Sequence, residues 1–176
     1  MPGACVVFSP WIDLELTGES LRTRADVDPS LTVNGLRRAA TDYLHGRSPR
    51  HSGANALHAS LAGLPPMFIQ VGSREILFDD SIRLAAHAGT AGVSVELQCW
   101  PEMVHVFQAF AAQLPEGRAA LQAAGAFIRT KVTLSETSAS YRPLLSDRPF
   151  SPPASDLRIL TISSWVWKMR PSLSGA

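Results

Sequence analysis

Glu75 and His105 are the two side chains of this sequence whose types and placement suit proton chemistry performed together. Glu75 stands four residues beyond the apolar run Met67–Val71, and His105 six beyond the segment Val93–Cys99. A histidine held by a carboxylate is the base half of a nucleophilic triad. The imidazole takes a hydroxyl proton, while the carboxylate fixes its tautomer and stabilises the imidazolium. Position alone leaves another reading open, because a lone Glu and a lone His after strands are more often unrelated surface groups.

Other chemistries find less support. His45, His51 and His58 fit no zinc-ligand spacing, and no cysteine or close carboxylate pair accompanies them, so they read as surface histidines and no metal is expected. No Gly-rich phosphate loop occurs, and no cofactor is expected. Cys5 and Cys99 lie in apolar strand runs and read as buried, inert free thiols. Asp13 reads as a local turn cap rather than a ligand for substrate. Trp11 reads as a cover for a sheet edge rather than a pocket wall.

The elements that must position Glu75 and His105 follow from periodicity. Met67–Val71 is a short run, apolar but for Gln70, after two prolines, as expected of a buried strand. Asp79, Asp80 and Ser81 offer N-caps for a helix over Ile82–Ala91 that Gly92 stops. Val93, Val95, Leu97 and Cys99 then alternate with polar residues, which makes a second strand. Strand, helix and strand form a right-handed βαβ unit with parallel strands. Their carboxyl ends therefore share one edge of the sheet, where open α/β sheets place their sites. Ala4–Phe8 is a third central strand. Thr32 caps a helix over Val33–Leu44, with Leu36, Ala39, Ala40, Tyr43 and Leu44 on one side and Gly46 ending it. Residues 15–32 and 47–66 read as loops. A short helix follows His105, and a longer one runs from Pro115 to about Lys131.

With 176 residues and 45% apolar content, the chain suits one domain with a real core. Its net charge of +1 lacks a basic patch adequate for nucleic acid. No signal peptide is evident and no apolar run reaches a bilayer's width, so membrane contact is not expected. Free thiols suit a reducing compartment, which points to the cytoplasm. Residues 133–176 hold ten serines and five prolines and read as a low-order tail beyond a domain of residues 1–132. Within that tail, Ile159–Met169 is apolar but too short to span a bilayer.

Residues 4–131 resemble the C-terminal half of the hormone-sensitive-lipase-like esterases, within the α/β-hydrolase fold. The matching segments are SPWIDL at 9–14, DPSLT at 28–32, GLPPMFIQVGSREILFDDS at 63–81, AGVSVELQCWPEMVHVFQAF at 91–110, and the closing helix. The resemblance implies that Glu75 is the triad acid, in Glu75-Ile76-Leu77-Phe78-Asp79 where most members carry D-P-L-x-D, with Asp79 the alternative acid. It implies that His105, in the H-x-F motif His105-Val106-Phe107, is the triad base. It further implies that the strands are the sixth, seventh and eighth of the family's sheet, and that residues 15–60 include the connection packed near the lid.

The family's nucleophile lies in G-x-S-x-G and its oxyanion hole in an H-G-G-G stretch, and neither motif occurs in these 176 residues. Ser9 precedes Pro10, and Ser73 follows Gly72 without a second glycine at the required place. The fold class implied is α/β: an incomplete α/β-hydrolase fold with C-terminal parallel strands, flanking helices and an irregular C-terminal tail. The function implied is that of a carboxylic-ester hydrolase, an esterase or lipase, without its nucleophile half. A small-molecule ester is the substrate of the intact relative. The alternative is a non-catalytic remnant or binding module. An unpaired sheet edge would favour self-association.

Overall fold

The computed structural model of the protein describes residues 2–138, and for 132–138 only their helical backbone. Three parallel strands form the sheet, β1 (Cys5–Phe8), β2 (Met67–Gly72) and β3 (Val95–Trp100), in the order β1-β2-β3. Cys5 pairs with Met67 and Met67 with Val95, and the registers run on to Phe8 opposite Gln70 and Gly72 opposite Trp100. All of β2 is buried, because it is central and covered on both faces. This explains why every residue of it is apolar except Gln70.

Alternation along the strands divides the core in two. Val7, Met67 and Ile69 face α3 (Phe78–Thr90), where Leu84 and Ala88 join them. Val6 and Phe68 face α4 (Pro115–Ser138) and meet Ala124 and Phe127, with the Phe68 and Phe127 ring centroids 5.1 Å apart. Gln70 also faces α4. It is fully buried, donates to Gln98 Oε1 and the Ala120 carbonyl, and accepts from Gln108 Nε2.

A third layer lies over the carboxyl ends of the strands. It contains the short α1 (Ser20–Thr23) and the amphipathic α2 (Val33–Leu44). Thr32 caps α2 by accepting the Gly35 N–H at 3.1 Å. Leu36 packs with Leu21, Ile76 and Leu77, while Ala40 and Leu44 pack with Leu14. The left-handed turn that ends α2 begins at His45 (φ 46°), one residue before the expected Gly46 (φ 79°). The stretches read as loops also contain α1 and a 3-10 turn, Ala56–His58, both too short for periodicity to reveal.

Two further boundaries and the exposure of one cysteine differ from expectation. Helix α3 starts at Phe78, so Asp79 and Asp80 lie in its first turn rather than at its cap. Helix α4 continues through Ser138, beyond the expected end near Lys131. The rest of the expected tail, Ile159–Met169 included, lies outside the described residues. Cys99 is exposed rather than buried, because it sits near the carboxyl end of an edge strand.

Candidate active site

The backbone brings the Glu75 turn and the His105 loop together before any side chain acts. Parallel β2 and β3 end side by side at Gly72 and Trp100. The Ser73 N–H donates to the Trp100 carbonyl at 2.8 Å, and the Arg74 N–H donates to the Met103 carbonyl at 2.9 Å. A Cβ on Gly72 would lie 2.2 Å from the Met103 carbonyl oxygen, so this close approach requires glycine. From the other side, Asp28 Oδ2 accepts the Ile76 N–H at 2.8 Å, and the Ser20 hydroxyl donates to the Ile76 carbonyl at 2.7 Å. The residue after Glu75 is thus held at both its polar backbone atoms.

Glu75 is fully buried, yet its carboxylate is well supplied with donors. Oε1 accepts the Gly72 N–H and the Ser9 hydroxyl, each at 2.7 Å. Oε2 accepts from His105 Nδ1 at 2.9 Å. A buried carboxylate needs such donors, since leaving one unpaired costs roughly several kcal/mol. With the hydrogen on Nδ1, the other ring nitrogen, Nε2, is free to accept a proton. The His105 side chain is 11% exposed and lines a cavity of about 650 Å³. Leu36, Ala39 and Tyr43 of α2 line it, with Leu31, Leu77 and Trp11 beside them. Trp11 is therefore a pocket wall, contrary to expectation, because the loop after β1 folds back under α2.

Asp79 is engaged elsewhere. Its carboxylate accepts the Ser20 N–H at 2.8 Å, and its own N–H donates to the Ser20 hydroxyl at 3.1 Å. It joins α1 to α3, and no hydrogen bond links it to His105 among the described residues. Asp80 is buried and accepts the Ile12 and Asp13 N–H groups at 2.9 and 3.0 Å. Asp13 accepts the Glu15 and Thr17 N–H groups, as a turn cap does. Arg83 bridges Asp13 and Asp80 at 3.0 and 2.6 Å. Burial pushes the Asp80 carboxyl up. Burial is also the largest influence on Asp13, but the donors from Thr17, Glu15 and Arg83 together outweigh it and hold that carboxyl low.

The remaining candidates are dispersed. His58 pairs with Glu15 at 2.8 Å, His51 accepts the Gly53 N–H, and His45 ends α2. No group of three or more metal-ligating side chains occurs among the described residues. Burial raises the thiol of Cys5 and so disfavours its thiolate. Sequence reasoning missed Ser9, Asp28 and Ser20 as supports of the Glu75 turn. The segments SPWIDL and DPSLT signalled that Ser9 and Asp28 mattered, but not what they touch.

The chain resembles known proteins over most of its length. A family model described as the alpha/beta hydrolase fold matches residues 1–109. An acetyl-hydrolase of Streptomyces hygroscopicus is 48% identical over 130 residues, which is 74% of this chain and 44% of that protein. An esterase of Acinetobacter venetianus is 40% identical over 125 residues, 69% of this chain and 40% of that protein. Among solved structures, an esterase from the bacterial hormone-sensitive lipase family superposes with a TM-score of 0.74 at 45% identity, over 75% of this chain and 44% of that one. The chain thus spans less than half the length of these relatives.

Proposed function

We propose, from the premise that this chain belongs to the hormone-sensitive-lipase-like esterases of the α/β-hydrolase fold, that it carries the proton-handling half of a carboxylic-ester hydrolase. In this reading His105 is the general base and Glu75 orients it. The observation that carries the reading is the 2.9 Å contact from His105 Nδ1 to a fully buried Glu75, with the ring at a cavity wall.

The reaction divides between this chain and a partner serine. A serine hydroxyl would attack the ester carbonyl while His105 Nε2 takes its proton. The imidazolium so formed would be stabilised by Glu75 and would return the proton to the leaving alcohol. Water would enter by the same route and release the acid. Neither G-x-S-x-G nor H-G-G-G occurs in the 176 residues, so serine and oxyanion hole would come from a segment equivalent to the part of the relatives that this chain does not span. The acetyl-hydrolase relative suggests a small-molecule ester as substrate. Cytoplasmic placement, a domain of residues 1–132 and self-association through the sheet edge belong to the same proposal. Of the described helices, none is long and apolar enough to cross a membrane.

The test is hydrolysis of a short-chain aryl ester by the purified chain and its His105→Ala variant. We expect no His105-dependent turnover, because an oxyanion-hole donor alone is worth about 10²–10³ in rate and no nucleophile is present. Turnover that vanishes in the variant would reveal another nucleophile and overturn the division proposed. The missing motifs favour one second reading, a non-catalytic remnant. A chimera with the remainder of the Streptomyces hygroscopicus acetyl-hydrolase separates the two. Restored hydrolysis that needs His105 supports the first reading, and a folded but inert chimera supports the second.

A further inference from the structure

Ser9 lies where the end of β1, the Glu75 turn and the His105 loop meet. Its side chain is 66 residues from Glu75 and 97 from Val106 in sequence, yet it bonds both. The hydroxyl donates to Glu75 Oε1 at 2.7 Å and accepts the Val106 N–H at 3.1 Å. The Ser9 N–H donates to the Gln70 carbonyl at 2.8 Å and anchors the residue to β2. Ser9 is 1% exposed, so water does not compete for these bonds.

Backbone geometry singles out the same contact. Ser9 (φ 46°) and Val106 (φ 49°) both adopt the left-handed region, which costs a non-glycine residue free energy. For a β-branched valine the cost is larger. Two such residues joined by one hydrogen bond, both adjoining the Glu75–His105 pair, fit backbone strain held at a site by the surrounding structure. Glycine would suit φ 46° better than serine, so backbone ease does not account for serine here.

We propose that Ser9 is the positioning residue of the Glu75–His105 pair: its single hydroxyl clamps the carboxylate on one side and the loop carrying the imidazole on the other. This rests on the reading of Glu75 and His105 given above. Ser9 does not act as a nucleophile, because its hydroxyl hydrogen is directed to Glu75 and not to His105. Its donor occupies the Oε1 oxygen and leaves Oε2 to the ring. Its acceptor role sets the backbone one residue beyond His105.

The test is nuclear magnetic resonance of the ¹⁵N-labelled 176-residue chain, reading the His105 Nδ1–H signal and its exchange with water. Glu75→Gln examines the pair itself: a His105 signal unmoved by it would remove the reading of the dyad. Ser9→Ala and Ser9→Gly both delete the hydroxyl, but glycine also relieves the backbone. Hydrogen bonds to charged groups are the strong ones. We therefore expect Nδ1–H exchange about tenfold faster or more in both variants, with the amide pattern of the sheet retained. A wild-type signal in Ser9→Gly, whatever Ser9→Ala does, would overturn the clamp and leave a backbone role. Collapse of the sheet in Ser9→Gly would also overturn it, by making Ser9 a residue of the fold. If Ser9→Ala alone unfolds, Ser9→Gly decides between these outcomes.

Discussion

At the scale of single residues, the neighbourhood of Glu75 distinguishes three acids that follow each other closely in sequence. Glu75 faces His105, Asp79 faces Ser20, and Asp80 faces Arg83 with two backbone amides. In the chimera described above, Glu75→Gln should lower kcat/KM by about 10²–10⁴, since an amide neither fixes the tautomer nor stabilises the imidazolium. Asp79→Asn should cost less than about tenfold, because its partner is a helix end. The reverse order in steady-state kinetics would move the acid role to Asp79. Asp13 and Asp80 give opposite pH signatures. The Asp13 carboxyl is held low, so its contribution is present above the unfolded value of about 3.9 and is lost as pH falls through the folded value. The Asp80 carboxyl is raised, so its contribution is present below the unfolded value and is lost as pH rises through the folded value. Urea midpoints measured between about pH 5 and pH 3 should therefore fall less in Asp13→Asn than in wild type, and more in Asp80→Asn. Equal slopes in all three would show that neither group is linked to folding.

Among the elements, the end of β2 matters most to the site. Gly72 lies under the loop from Glu102 to Val106, and an added methyl would meet the Met103 carbonyl carbon at 2.6 Å as well as its oxygen at 2.2 Å. Both atoms are backbone, so they cannot rotate away as a side chain would. Gly72→Ala should destabilise the chain by about 1–3 kcal/mol, read as a lower urea midpoint. It should also displace the His105 loop and weaken the contact to Glu75. An unchanged midpoint would mean that this loop is loosely held. By contrast, α2 presents one face to two tasks. Leu36, Ala40 and Leu44 are buried, while Ala39 and Tyr43 line the cavity beside His105.

For the whole molecule, the sheet of three strands leaves one edge of β1 and one edge of β3 without a strand partner among the described residues. Open edges carry unpaired backbone donors and acceptors and pair readily with other chains. The isolated chain should therefore self-associate at micromolar concentration, as measured by sedimentation velocity across a dilution series. A single monomer species at every concentration would contradict the proposed self-association. The chimera should associate less if its added strands cover β1.

Strand, helix and strand around Glu75 and His105 were legible in the sequence because their periods are local: an apolar run at 67–71, a helical stretch after it, and alternation from Val93. So was the shared edge, because parallel connection places both carboxyl ends together. Boundaries were less legible. Phe78 opens α3 because tertiary contacts, and not Asp79 or Asp80, satisfy its first turn. Cys99 shares an alternating apolar pattern with Leu97, but cover depends on what packs above each position, which a period does not encode. Tertiary structure alone decided that Trp11 lines a cavity, that Asp28 and Ser20 hold Ile76, and that Ser9 bonds both Glu75 and Val106. Those contacts join residues tens of positions apart through side-chain hydrogen bonds. A linear pattern reports burial and local geometry, whereas the partner of a hydroxyl or carboxylate is set only when distant segments meet.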